Sequence, residues 1–188
     1  MMKLNEWLNR EIPGIAKTLE DVNKKSFFVD KTIGFAGKEY VYQILGHFRS
    51  ALFPGVFDKY PIDEVKANIM IGNHLRTAAL ELKDLIEKVF SNKCEKNKED
   101  RIACDECKDR AIETVIKLIA KFPEIRECLR KDIQAAYDGD PAARTTEEIL
   151  LAYPSIEVMS IHRIAHELYA LQTPVIPRIM SEYAHQLT

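Results

Sequence analysis

Two histidines, four cysteines and a pair of aspartates are the side chains whose type and spacing could carry chemistry in this sequence. His162 and His166 stand four apart in His-Arg-Ile-Ala-His, which puts both imidazoles on one face of a helix, as in metalloprotease ligand pairs. Such an enzyme needs a glutamate directly after the first histidine as general base, and Arg163 stands there instead. The pair is therefore expected to pack and hydrogen-bond at a helix interface, joined by His185 only if the last helix folds back. Cys94, Cys104 and Cys107 form C-x9-C-x2-C, with Cys128 further on. Four thiolates could surround a zinc ion. Only Cys104 and Cys107 form a close pair, however, and the other reading is reduced cysteines of an intracellular protein. Asp138 and Asp140 flank Gly139 like the start of a calcium loop, but the later ligands, including the glutamate at the twelfth position, are missing. Asp140 therefore reads either as a turn former or as a carboxylate aimed at a cation such as an ammonium group.

The elements that must position these groups read as helices throughout. Prolines and glycines punctuate the chain, and apolar residues recur between them at helical rather than alternating spacing. Val41, Ile44, Leu45, Phe48 and Leu52 form one stripe, stopped by Pro54-Gly55. A second runs through Val65, Ile69, Leu75, Ala79, Leu82, Ile86 and Val89 into the polar stretch 91–97. A third comprises Ile112, Val115, Ile116, Ile119 and Phe122, after which Pro123 suits the first turn of a helix running towards Tyr137. Asp138-Gly139-Asp140-Pro141 breaks that periodicity, and Thr145 with Glu148 forms a capping box that restarts it. Helices are then expected over about 154–171 and 175–187, separated by Thr173-Pro174. The fold class is all-α, with no internal repeat.

Composition narrows the classes of function. The 188 residues are 46% hydrophobic and 30% charged, enough to bury a core. The 27 basic and 29 acidic residues are interspersed, so no basic stripe suggests nucleic acid. No stretch approaches the roughly 20 apolar residues of a membrane span, and the amino terminus lacks the apolar core of a signal peptide. A cytoplasmic location is expected.

Three stretches together resemble the helical region of bacterial serine O-acetyltransferases: Asp140-Pro141-Ala142-Ala143-Arg144, Glu148-Ile149-Leu150-Leu151-Ala152-Tyr153-Pro154, and His162-Arg163-Ile164-Ala165-His166-Glu167-Leu168. Pro174-Val175-Ile176-Pro177-Arg178-Ile179-Met180 and Glu182-Tyr183-Ala184-His185 are similar to the segment leading into that family's left-handed parallel β-helix. Leu52-Phe53-Pro54-Gly55 is similar to the branch with a longer amino-terminal extension. The close match covers 133–188, and the first half matches loosely. The chain thus divides into 1–130, an amino-terminal helical extension, and 131–188, the family-type helical segment, the two forming one compact unit.

The resemblance implies an acyltransferase that moves the acetyl group of acetyl-CoA to the hydroxyl of L-serine, giving O-acetyl-L-serine for cysteine synthesis. It places the general-base histidine and most of the acetyl-CoA site on a hexapeptide-repeat domain, whose Gly-rich turns do not occur in this sequence. It therefore assigns no catalytic residue, metal or resident cofactor here. The one functional position it carries over is Asp140, the aspartate of the family's Asp-Pro motif, which helps bind serine. Arg163 and His166 also match and are expected to pack. The resemblance further implies a homo-oligomer through the helical domain, with Ile176, Ile179, Met180 and Tyr183 as an apolar face, and an O-acetylserine sulfhydrylase partner that docks on a carboxyl-terminal tail absent from this sequence. The rival reading is a stand-alone helical binding or regulatory module, holding a metal through its cysteines.

Overall fold

The computed structural model describes residues 4–26, 37–58, 66–94 and 105–187, and these are all helix and connection. Among the described residues eight helices succeed one another: α1 Leu4–Ser26, α2 Gly37–Leu52, α3 Ala67–Lys93, α4 Asp105–Ala120, α5 Phe122–Gly139, α6 Thr146–Ala152, α7 Pro154–Ala170 and α8 Ile176–Gln186. Among the described residues there is no strand, so the all-α expectation holds. Nor is any helix there long and apolar enough to cross a membrane.

The first stripe is buried as its spacing requires: Val41, Ile44, Leu45, Phe48 and Leu52 of α2 all face the core. The stop after α2 is a turn in which Val56 N–H donates to the Phe53 carbonyl at 3.1 Å. Pro54 and Gly55 occupy its centre, and Gly55 takes φ +84, the conformation a type II turn demands at its third residue. Helix α3 packs against α2 and α4 and buries Leu82, Leu85, Ile86 and Val89, whereas Ile69, expected in that stripe, is 60% exposed. Val65 lies outside the described residues.

Helix α4 departs from the pattern of its apolar residues. Its buried face is Cys107, Ala111, Thr114, Val115 and Leu118, and Ile116, expected inside, is 63% exposed. The buried face includes the small residues Ala111 and Thr114 on a helix that packs mainly on α3, and apolar spacing alone could not find it. Thr114 loses no hydrogen bond by this burial, because its hydroxyl donates to the Arg110 carbonyl at 2.8 Å.

From α2 to α8 one continuous hydrophobic cluster forms, including Phe48, Leu82, Leu118, Leu129, Ile149, Ile161, Ile176 and Met180. The Phe48 and Phe122 rings meet at 4.8 Å and 49°, within the tilted range aromatic pairs prefer. Helix α8 closes the cluster, packing mainly on α7 and also on α2. Of its expected apolar face, Ile176 and Met180 are fully buried in this chain, while Ile179 and Tyr183 stay half-buried, Tyr183 stacking on Tyr42 at 4.0 Å.

The junction before α8 is strained. Helix α7 ends with Thr173 N–H donating to Leu168 O and Gln172 N–H to Tyr169 O, a Schellman motif. Its left-handed position is filled by Gln172 at φ +58 rather than by glycine. Then Ile176 N–H reaches back to Pro174 O at 2.6 Å around Val175 at φ 64, ψ −51. This is a γ-turn of positive φ, an unfavourable conformation for a β-branched residue.

Helix α1 has no forerunner among the stripes, since Pro13-Gly14 looks like a break. The helix runs through Pro13 all the same. Its Leu4, Trp7, Ile12, Ile15, Leu19 and Val22 are all exposed.

Candidate functional site

Asp140 closes α5 as its C-cap, in extended conformation at φ −116, ψ 103. The chain then turns sharply: Ala143 N–H donates to Asp140 O at 3.1 Å, and Ala142 N–H donates to Asp140 Oδ1 at 2.9 Å. A short carboxylate that captures the amide two residues on is the local reason an Asp-Pro-Ala sequence turns here. The other carboxylate oxygen, Oδ2, accepts a short hydrogen bond from the Tyr153 hydroxyl, which comes from the junction of α6 and α7.

The two donors fix both the position and the charge of this group. The Tyr153 hydroxyl first, and the Ala142 amide second, hold the Asp140 carboxyl below the usual carboxylate range, because both stabilise the ionised form. Tyr153 responds oppositely. The carboxylate that accepts its proton's hydrogen bond, together with burial and the negative charges of Asp140 and Glu148, pushes the phenol up. The arrangement is an ionised, oriented and half-buried carboxylate, and it can accept from a cation.

The frame around it is built from caps and one ion pair. Thr145 Oγ1 accepts from Glu148 N–H at 3.1 Å, as the capping box predicts. The Glu148 carboxylate returns to Arg144 N–H at 2.9 Å, one residue before the cap itself. Beneath the turn, α5 is fastened to α7 by a fork: Arg163 Nε and Nη2 donate to Asp132 Oδ2 and Oδ1 at 2.8 and 2.7 Å. Arg163 therefore packs, as expected. His162 and His166 do lie on one face, but both are exposed, so the expected interface packing is not made within this chain. The reason is that Ile161, Ile164, Ala165 and Leu168 take the buried face of α7.

The other candidates separate. Asp138 accepts from Gln134 at 2.8 Å on the exposed side of α5 and does not join Asp140. Cys107 is buried, Cys94 and Cys128 are half-buried, and Cys104 lies outside the described residues. Among the described residues no three histidine, cysteine, aspartate or glutamate side chains converge to hold a metal. Tyr153 and Asp132 do not stand out in the sequence. The available signal is that each falls opposite a charged partner once α5, α6 and α7 are stacked, which requires knowing the stacking.

An all-helical domain presenting a fixed carboxylate in an Asp-Pro turn defines the class. The profile described as "Serine acetyltransferase, N-terminal" matches residues 63–154. A plasmid-borne serine acetyltransferase of Synechococcus elongatus is 33% identical over 145 residues, covering 77% of this chain and 46% of that protein. A second serine acetyltransferase of that organism is 43% identical over 60 residues, 32% of this chain and 25% of its own length. Among solved structures, serine acetyltransferase isoform 3 of Entamoeba histolytica, in complex with cysteine, aligns with a TM-score of 0.60 at 29% identity, over 77% of this chain and 46% of that one. Serine acetyltransferase 1 of the same organism, at 24% identity and a TM-score of 0.57 over 80% and 60% of the two chains, shares the fold. The chain belongs to the serine acetyltransferase family and corresponds to its N-terminal helical domain. It spans less than half the length of the Synechococcus relatives it matches.

Proposed function

We propose that this chain is the serine-holding and assembly-forming part of an acyltransferase that moves acetyl from acetyl-CoA to the hydroxyl of L-serine, giving O-acetyl-L-serine for cysteine synthesis. The observation that carries the reading is the Asp140 carboxylate, kept ionised by Tyr153 and Ala142. Each of its oxygens retains a lone pair beyond the hydrogen bond it accepts, so a serine ammonium can bind without displacing either donor. Its contribution is orientation of the hydroxyl rather than proton transfer. The base that removes the hydroxyl proton belongs to a second domain, and the chain alone is inactive. Entamoeba isoform 3 was crystallised with cysteine, which carries the same ammonium and carboxylate groups as serine.

The test is Asp140→Asn in an enzyme carrying both domains. Removing a charge-assisted partner should raise the serine KM by about ten- to a hundredfold and leave the acetyl-CoA KM in place. Unchanged serine kinetics would remove Asp140 from the site.

We further propose a cytoplasmic homo-oligomer in which the extension, 1–130, and the segment 131–188 act as one unit. Support for assembly comes from α1, whose Ile12, Ile15, Leu19 and Val22 are 43 to 58% exposed along one 23-residue helix. An apolar stripe of this length is a typical contact surface. It adds to the face of α8, where Ile176 and Met180 are buried and Ile179 and Tyr183 stay half-buried.

A further inference from the structure

A second cluster of titratable groups lies away from Asp140, where α3 passes α2. His47 of α2 and His74 of α3 face each other through their Nδ1 atoms at 3.0 Å, with ring centroids 5.3 Å apart and planes inclined at 43°. The centroid separation exceeds the nitrogen separation by about one ring width, so the imidazoles meet head-on along the N···N line. On its far side, His74 Nε2 meets Asp58 Oδ1 at 3.1 Å. The other oxygen of Asp58 accepts from Gly55 N–H at 2.9 Å, in the turn that ends α2. The chain of contacts thus runs from the turn, through α3, to α2.

Head-on nitrogens at this distance share a proton. A metal held by both would lie off the N···N line, about 2.0–2.1 Å from each nitrogen, whereas here each ring points along that line at the other nitrogen. Each neutral imidazole owns one N–H. Asp58, an acceptor, draws the proton of His74 to Nε2 and leaves a lone pair on His74 Nδ1. His47 must then carry its own proton on Nδ1 and donate it.

We propose that Asp58, His74 and His47 form a proton-operated clasp that fastens α3 and the turn at 53–58 to α2. The imidazole pair holds with two protons, in the arrangement above. It also holds with three: His74 becomes an imidazolium, donates Nε2–H to Asp58 and Nδ1–H to His47, and His47 keeps its proton on Nε2. With four protons both Nδ1 atoms carry hydrogen, the contact becomes repulsive, and the clasp lets go. Asp58 is the counter-charge at the pair. Of the groups that neighbouring elements bring to α2, Glu157 of α7 is paired with Arg49, Glu81 and Asp84 of α3 act on Tyr40, and Tyr183 of α8 stacks on Tyr42. Arg76, two residues beyond His74 on α3, is exposed.

Nitrogen NMR of the full chain with 15N-labelled histidine tests this. At about pH 8 we expect the uncommon Nδ1–H tautomer at His47, the Nε2–H tautomer at His74, and a scalar coupling across the Nδ1–H···Nδ1 bond. Between about pH 8 and pH 5, where histidine changes charge, that coupling should vanish and amide exchange at the start of α3 should quicken, while circular dichroism still reports a folded chain. In His47→Gln the acid-induced quickening should be lost, and in Asp58→Asn the Nδ1–H signal of His47 should disappear. Finding the Nε2–H tautomer at His47 at about pH 8 while His74 is neutral would overturn the clasp. So would an acid response in His47→Gln equal to that of the parent, or displacement of both Nδ1 resonances by equimolar zinc, which would make the pair a metal site.

Discussion

Asp140 is held by one amide and one phenol, and the two donors set a pH window. Its carboxyl is depressed in the folded chain, so its contribution is present above the unfolded value of about 4 and is lost as pH falls through the lower folded value. Tyr153 is raised, so its contribution is present below the unfolded value of about 10 and is lost as pH rises through the higher folded one. Between these limits the link should be constant. Tyr153→Phe should abolish the alkaline edge and shrink the acid one, which the Ala142 amide still supports; a comparison of melting temperature against pH with the parent chain would show it. In the two-domain enzyme the same variant should raise the serine KM by less than Asp140→Asn does, since the charge stays and only its orientation is lost. At this scale the sequence is informative for Asp140 and Thr145, each of which has a partner within three residues. It is silent for Tyr153, His47 and Asp132, because their partners are 13, 27 and 31 residues away.

Helix boundaries follow local rules and are largely legible: α2, α7 and α8 fall within a few residues of their proline, glycine and capping signals. Which face a helix buries depends on its neighbours, and there α4 defeats the pattern, burying Ala111 while exposing Ile116. Helix α1 escapes a local reading because Pro13-Gly14 is a stop signal, yet the chain accepts the lost hydrogen bond. The end of α7 offers a direct test of local strain. Gln172 sits in the left-handed region, where glycine has no Cβ to clash and other residues lose roughly 1 kcal/mol or more. Gln172→Gly should therefore stabilise the chain by up to about 1 kcal/mol, after the entropy of a freer unfolded chain is taken off. Urea denaturation measures it, and a lower midpoint would refute the strain. Leu82→Ala, in the fully buried seam of α3, should cost about 2–5 kcal/mol by the same assay.

Across the whole molecule, the outward stripe of α1 and the shared core of α2 to α8 make separable predictions. Ile12→Asp combined with Leu19→Asp should lower the mass seen by light scattering without changing the melting temperature of the core, since neither residue contributes to it. A parent chain that is strictly monomeric at high concentration would defeat the assembly reading. The shared core has a further consequence for how the molecule is made. Tyr42 and Tyr183 stack, so a helix near the beginning of the chain is completed by one near its end. On the ribosome α2 can find α3 early, and Phe48 meets Phe122 once α5 emerges, but Tyr42 waits for its ring partner until α8 follows the γ-turn at Val175.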